Sequence, residues 1–194
     1  MSHLSDYLLS GLEVSALDGG VHHAAIALGS NLGNARGSSR QLVLDAMDVI
    51  DASMGIRVLA RSHLYKTAPV GPPQPDYINA CVTVETTLSP WALLQRLLAI
   101  ENQFGRVRKE RWGARSLDLD LLLFSNRIIH QPKLSVPHPR LHERPFVLIP
   151  LADIASQWQH PQLHKTVELL LADLAEQSPI TGVDRLISCE SRSL

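Results

Sequence analysis

Two periods alternate along this chain. Residues 23–29, "HAAIALG", form a short apolar run stopped by glycine, which predicts a buried strand. Val43, Met47, Ile50 and Met54 then recur at helical spacing, predicting an amphipathic helix over 35–54 with Gly55 at its stop. Residues 56–67, "IRVLARSHLYKT", alternate apolar and polar positions, the period of a half-buried strand. "APVGPPQPD" follows, with four prolines in nine residues; proline fixes φ and donates no hydrogen bond, so this is a shaped, irregular loop. "YINACVTVETT" is strand again. Ser89 caps a helix that has Pro90 at its first position, Leu93, Leu97, Ile100 and Phe104 as its buried stripe, and Gly105 at its end. A charged stretch, "RVRKERWGAR", leads into the strand "SLDLDLLLF", with "SNRIIH" read as a hairpin return. Two short helical patterns, at 146–154 and 164–176, come after a proline-rich connection, and the residues beyond Pro179 show no period.

The core order is strand, helix, strand, strand, helix, strand. It predicts an α+β fold with a ferredoxin-like βαββαβ core, an antiparallel sheet with its helices on one face, plus extra C-terminal helices. The expected organisation is an N-terminal extension at 1–22, one domain at 23–178 and a C-terminal tail at 179–194. The formal net charge of -1 gives no general attraction to nucleic acid or to an anionic membrane, so any basic site is a local concentration. Cys81 and Cys189 are too few for a disulfide framework or a metal cluster, and Cys81 sits in an apolar run as a small core residue. The N-terminus lacks a basic flank before an apolar stretch, and no apolar run approaches the roughly 20 residues that span a bilayer. A soluble cytoplasmic protein is expected.

Chemistry concentrates in "RWGARSLDLDLL". On a strand, Leu117, Leu119, Leu121 and Leu123 take one face and Asp118 and Asp120 the other. The two aspartate Cβ atoms then lie about 6–7 Å apart. At that separation two carboxylates repel by about 2–3 kcal/mol for an effective dielectric of about 20. Two readings of the pair stand. Neighbouring arginines neutralise it in structural ion pairs, or it holds magnesium, which takes one or two carboxylates and completes its shell with water and phosphate oxygens. Arg106, Arg108, Lys109, Arg111 and Arg115 fall within ten residues of one another, and guanidiniums suit bidentate phosphate contacts. Beside a carboxylate pair, such a basic loop fits a nucleoside triphosphate with magnesium better than nucleic acid. Trp112 within it suits a lid closing over a flat ligand.

These residues carry a resemblance. "RWGARSLDLDLL" is closely similar to the signature of the 6-hydroxymethyl-7,8-dihydropterin pyrophosphokinase family of folate biosynthesis. The similarity extends from "AIALGSNLG" through "YKTAPVGPPQPDYINACV" to "VPHPRLHERPFVLIPLADIA", about 24–155 in the family's order, and agreement of several separated blocks is far more specific than one motif. The resemblance implies that ATP and 6-hydroxymethyl-7,8-dihydropterin give AMP and the pterin diphosphate. It implies two Mg²⁺ ions held by Asp118 and Asp120, and catalytic roles for Arg106 and Arg115 beside them. ATP contacts are implied for Glu101, Arg108, Lys109, Lys133, Ser135, His138 and Arg144. For the pterin, Thr67 and Asn79 match polar contacts to the ring edge, Tyr77 and Phe146 the stacking pair, and Trp112 the lid. Ala114 stands where the family usually has proline.

Two other classes share parts of this pattern. A polymerase- or cyclase-like palm also places two aspartates on a ferredoxin-like sheet, but it would release pyrophosphate. An RNA-binding module of the same general fold would need an aromatic strand of the "KGFGF" kind, which is missing, and the Asp pair would repel a phosphate backbone. His160 and His164 are four apart with Pro161 between them and no third ligand, so they read as surface residues, not a zinc site. The identity of the general base and the oligomeric state stay open.

Overall fold

The structure is a computed structural model and describes residues 17–69, 73–105 and 115–186. Its main sheet has six strands. β1 (Leu17–Ser30) lies between β5 (Asp118–Phe124) and β4 (Tyr77–Leu88), antiparallel to both. β4 also pairs with β2 (Ile56–Arg61) and β3 (Tyr65–Thr67), and β8 (Val183–Arg185) adds to the outer side of β3. The strand path is therefore β5-β1-β4-β3-β8, with β2 on β4 beside β3. β1 is longer than the apolar run 23–29, and β8 falls where the sequence shows no period; a three-residue edge strand is too short to show one.

Helix α1 (Ser39–Asp51) starts where Ser38 Oγ accepts from Gln41 N, and it buries Leu42, Val43, Ala46, Met47 and Ile50. It ends a turn before Met54, which is 84% exposed, so the expected stripe is one residue too long. Gly55, at φ +78°, redirects the chain into β2. Helix α2 (Pro90–Gln103) has the expected cap, Ser89 Oγ accepting from Ala92 N at 3.2 Å, and buries Leu93, Leu97 and Ile100. Both helices pack against Ala24, Ile26 and Leu28 of β1, Val82 and Val84 of β4, and Leu119 and Leu121 of β5.

The opposite face is covered as well. Helices α3 (Pro145–Ala155) and α4 (Val167–Gln177) pack there on Ala25, Cys81, Leu122 and Leu123. The expectation of helices on one face is thus incomplete. β1 and β4 are buried on both sides, which is why they read as continuous apolar runs instead of alternating ones. A bulge adds a second correction. Ala25 pairs with Leu123 but Ile26 with Leu121, so Leu122 is the extra residue. Two residues then oppose one, and Leu123 turns to the face of the aspartates instead of joining Leu119 and Leu121. The segment read as a hairpin return does not pair with β5. After the turn at Ser125, β6 (Ile129–Gln131) pairs with β7 (Leu134–Val136) as a separate ribbon. No described helix is long and apolar enough to cross a membrane.

Candidate active site

The α3 face of the sheet is filled by side chains at one end and open at the other. The difference lies in β1. Ala25 packs against α3, but the next residues with the same orientation are Ala27 and Gly29, which have almost no side chain. Ala27 pairs with Asp120 on one side and Cys81 on the other; Gly29 pairs with Asp118 and Asn79. Small residues in the central strand, flanked by polar ones, make the floor of a cavity of about 530 Å³. Neighbouring strands lie about 4.8 Å apart, so the aspartates and Asn79 face each other across this floor at roughly two strand spacings. A methyl group on Gly29 would come within 3.1 Å of Asn79 Oδ1 and press on that amide, so glycine here marks a close approach.

One wall is charged. Arg115 Nη1 donates to Asp118 Oδ2 at 2.8 Å. Arg144 Nη1 lies 3.7 Å and His138 Nε2 4.0 Å from Asp120 Oδ2. Arg144 immediately precedes α3, and His138 is held by its own N–H, which donates to Leu122 O at 2.8 Å. Burial pulls the His138 imidazole below its ordinary range, Asp120 opposes this, and Arg144 and Arg140 reinforce it. Burial likewise lowers Arg144, with Asp120 opposing. Among the described residues no group of three His, Cys, Asp or Glu could hold a metal ion.

The other wall is aromatic and amide-like. Asn79 Nδ2 donates to Thr67 Oγ1 at 2.7 Å, and both residues are buried. Tyr77 lies across from Thr67 in the β3–β4 pair, and Phe146 enters from the first turn of α3. Burial raises the Tyr77 hydroxyl, Arg115 opposes, and Asp118 adds to the rise.

Nine of the expected residues thus line one cavity: Arg115, Asp118, Asp120, His138, Arg144, Thr67, Tyr77, Asn79 and Phe146. Three others lie elsewhere. Glu101 is only 1% exposed, on the α1–α2 side of the sheet, and accepts from Leu119 N at 2.8 Å, anchoring β5 one residue from each aspartate. Lys133 is in the β6–β7 turn and Ser135 on β7, and neither lines the cavity. Arg106, Arg108, Lys109 and Trp112 lie outside the described residues, as do Arg111 and Ala114.

The structure also brings in residues that the sequence reading passed over. Arg140 lines the charged wall, where its Nε donates to Glu143 Oε2 at 3.1 Å. Asn31, buried just after β1, receives Arg115 N on Oδ1 at 2.8 Å, and its Nδ2 donates to Gln74 Oε1 at 3.0 Å and Pro75 O at 3.1 Å. It ties the proline-rich loop to the segment carrying Arg115. Gly29 had a legible signal, since a glycine at the end of an apolar strand can mark a close approach. For Arg140 the signal was weak, one basic residue among several in "HPRLHER".

The fold and the cavity define a class first: a mixed α/β domain with helices on both faces of an antiparallel sheet, which opens at one end into a cleft with an acidic pair on one wall and an aromatic, amide-lined wall opposite. The comparisons make it specific. The family model described as 7,8-dihydro-6-hydroxymethylpterin-pyrophosphokinase (HPPK) matches residues 25–156, and the chain belongs to that family. A relative from Synechocystis, named 2-amino-4-hydroxy-6-hydroxymethyldihydropteridine pyrophosphokinase, is 46% identical over 166 residues, covering 84% of this chain and 79% of its own. One of the same name from Haemophilus influenzae is 44% identical over 148 residues, 76% of this chain and 90% of its own. Among solved structures, Plasmodium falciparum HPPK-DHPS with pteroate has a TM-score of 0.67 at 15% identity, over 86% of this chain. This chain spans about half of that one, 48%. That likeness concerns the fold.

Proposed function

We propose that this chain is a 2-amino-4-hydroxy-6-hydroxymethyldihydropteridine pyrophosphokinase that transfers pyrophosphate from ATP to 6-hydroxymethyl-7,8-dihydropterin in folate biosynthesis. One observation carries the reading. A carboxylate pair with its arginines, and an aromatic slot with a buried amide, face each other in the cavity that β1 leaves open. A polyanion and a flat heterocycle could there lie end to end.

The heterocycle fits the Thr67–Asn79 wall, where aimed polar groups can read the ring edge while Tyr77 and Phe146 supply apolar faces. The triphosphate fits the wall bearing Arg115, Arg140, Arg144 and His138. Asp118 and Asp120 would hold Mg²⁺: both are hard oxygen donors turned to one side of the sheet, and two carboxylates match what this ion takes from protein. When bound, two such ions supply charge neutralisation on the phosphates. In the reaction the pterin hydroxymethyl oxygen forms a bond to the β-phosphorus. The bond from that phosphorus to the α,β-bridging oxygen breaks, AMP leaves with the oxygen, and the hydroxyl proton is released. Such a transfer is mainly positioning and charge stabilisation. The cavity meets both needs by holding the two ligands on opposed rigid strands.

We read the architecture as ferredoxin-like, supported by the order β5-β1-β4-β2 and antiparallel pairing throughout. The activity is placed in a single domain at 23–178, to which residues 17–22 and 183–185 add sheet, and in the cytoplasm. Its partners are ATP and the pterin, not nucleic acid. The test is an incubation of protein, Mg²⁺, ATP and the hydroxymethyl pterin with the nucleotides separated afterwards. AMP that forms only with the pterin present is expected. ADP, free pyrophosphate or no turnover would refute the reading.

A further inference from the structure

Away from the charged wall, one carboxylate gathers an unusual number of donors. Asp153, in the last turns of α3, accepts from the Tyr65 hydroxyl at 3.0 Å on Oδ1 and 2.9 Å on Oδ2. Its Oδ2 also accepts from His63 N at 3.1 Å and lies 3.0 Å from His63 Nδ1. The Arg185 guanidinium on β8 hydrogen-bonds His63 Nε2. A guanidinium can only donate, so the tautomer that accepts on Nε2 and donates from Nδ1 to Asp153 satisfies both contacts. Tyr65 is 6% exposed, and burial, aided by the Asp153 hydrogen bond, pushes its hydroxyl up to about 12. The hydroxyl therefore stays a donor throughout the physiological range.

The chain links this cluster to the cavity on both sides. Tyr65 and Thr67 are two apart on β3 and turn to the same face, with Tyr65 opposite Asn79 and Thr67 opposite Tyr77. Asp153 follows Phe146 by two helical turns, so both lie on the face of α3 that meets the sheet. β3 has only three residues, and its outer edge is held by β8, where Tyr65 pairs with Arg185, and by Leu186 N, which donates to Leu64 O at 2.8 Å. A three-residue strand has little purchase of its own, and the Asp153 cluster ties it to α3.

We propose that Asp153, with Tyr65, His63 and Arg185, is a brace that sets the spacing between β3 and α3, and so holds the Thr67–Asn79 edge and Phe146 at the separation a flat heterocycle requires. Asp153 is a positioning residue, and β8 is the strand that completes the brace. This rests on the pyrophosphokinase reading. It predicts a selective effect, because Asp118, Asp120 and Arg115 of the triphosphate wall are carried by β5 and the segment just before it, not by β3 or α3.

The test titrates the hydroxymethyl pterin into protein loaded with Mg²⁺ and an unhydrolysable ATP analogue, for the wild type, Tyr65→Phe, Asp153→Ala and the double variant. Tyr65→Phe keeps the buried ring and removes one hydroxyl, so it folds even where Asp153→Ala does not; circular dichroism checks both. Pterin Kd is expected to rise about tenfold in Tyr65→Phe, the scale of one lost hydrogen bond. Kd for the nucleotide analogue stays within twofold, and the double variant is no weaker than Asp153→Ala. Backbone amides of β3 exchange faster in the free variant while those of β1 do not. Pterin affinity unchanged in folded Tyr65→Phe, or both ligands weakened alike, would overturn the brace while leaving the function standing. A wild-type protein that binds no pterin at all would refute the function, and the positioning role with it.

Discussion

Gly29 forms part of the cavity floor beside Asn79, and replacing it with alanine isolates that geometry. The added Cβ would stand 3.1 Å from Asn79 Oδ1 and 3.9 Å from Tyr77 Cδ1. The first distance is tighter than an ordinary contact, so the Asn79 amide must move by a few tenths of an ångström. That amide is rigid, and its other end donates to Thr67 Oγ1 at 2.7 Å. The displacement therefore strains this buried bond or turns it out of line. Loss of a neutral hydrogen bond costs about 0.5–1.5 kcal/mol, which converts to about two- to twelvefold in pterin affinity. Global stability should change less, because Gly→Ala restricts the unfolded chain and recovers roughly 0.4–1 kcal/mol. Titration of the pterin against protein holding Mg²⁺ and an unhydrolysable ATP analogue, beside a thermal melt, measures both. The expected result is weaker pterin binding, unchanged nucleotide binding and a nearly unchanged melting temperature. Pterin affinity within twofold of the wild type would show that the floor at Gly29 is not where the heterocycle edge is read.

Three further outcomes are expected. Asp120→Asn should cut turnover at least about 100-fold at ordinary magnesium, as removal of a group stabilising transition-state charge does; near wild-type rates would remove Asp120 from the site. Arg140→Ala should weaken the nucleotide analogue several-fold, more at low salt than high, while pterin affinity holds; equal loss of both ligands would place Arg140 outside the phosphate wall. His160, expected from the sequence at the surface, is 3% exposed, and burial, with help from His142, lowers its folded pKa below the ordinary 6.5. The unfolded chain then binds the proton more readily, so stability is full above about pH 6.5 and falls as pH drops towards the folded value. His160→Gln should flatten that slope in denaturant titrations between pH 7 and 5, and an unchanged slope would remove His160 as its source.

Local periods told much about this chain before any tertiary contact was known. A repeat of two put Asp118 and Asp120 on one side of β5, and a repeat of 3.6 with Ser89, Pro90 and Gly105 delimited α2. These patterns depend on neighbours a few residues apart, and steric and hydrogen-bonding rules read them directly. The family likeness then pointed to Thr67, Tyr77, Asn79 and Phe146 as one group and to Arg144 as a nucleotide contact, and all five line one cavity.

What no local pattern could announce depends on residues distant in the chain. The bulge at Leu122 exists because β5 must match β1, and it turns Leu123 over without any mark in "DLDLLLF". α3 and α4 close the second face of the sheet, and the continuous apolar strands signalled burial without saying by what. Glu101 shares a helix with core residues, and only its meeting with Leu119 N shows it as a buried anchor of β5. β8 is three residues of no period until β3 offers them an edge. Register, facing and closure are set by pairing between segments 50 to 120 residues apart, and the free energy of such pairing belongs to the assembled sheet and not to either segment alone.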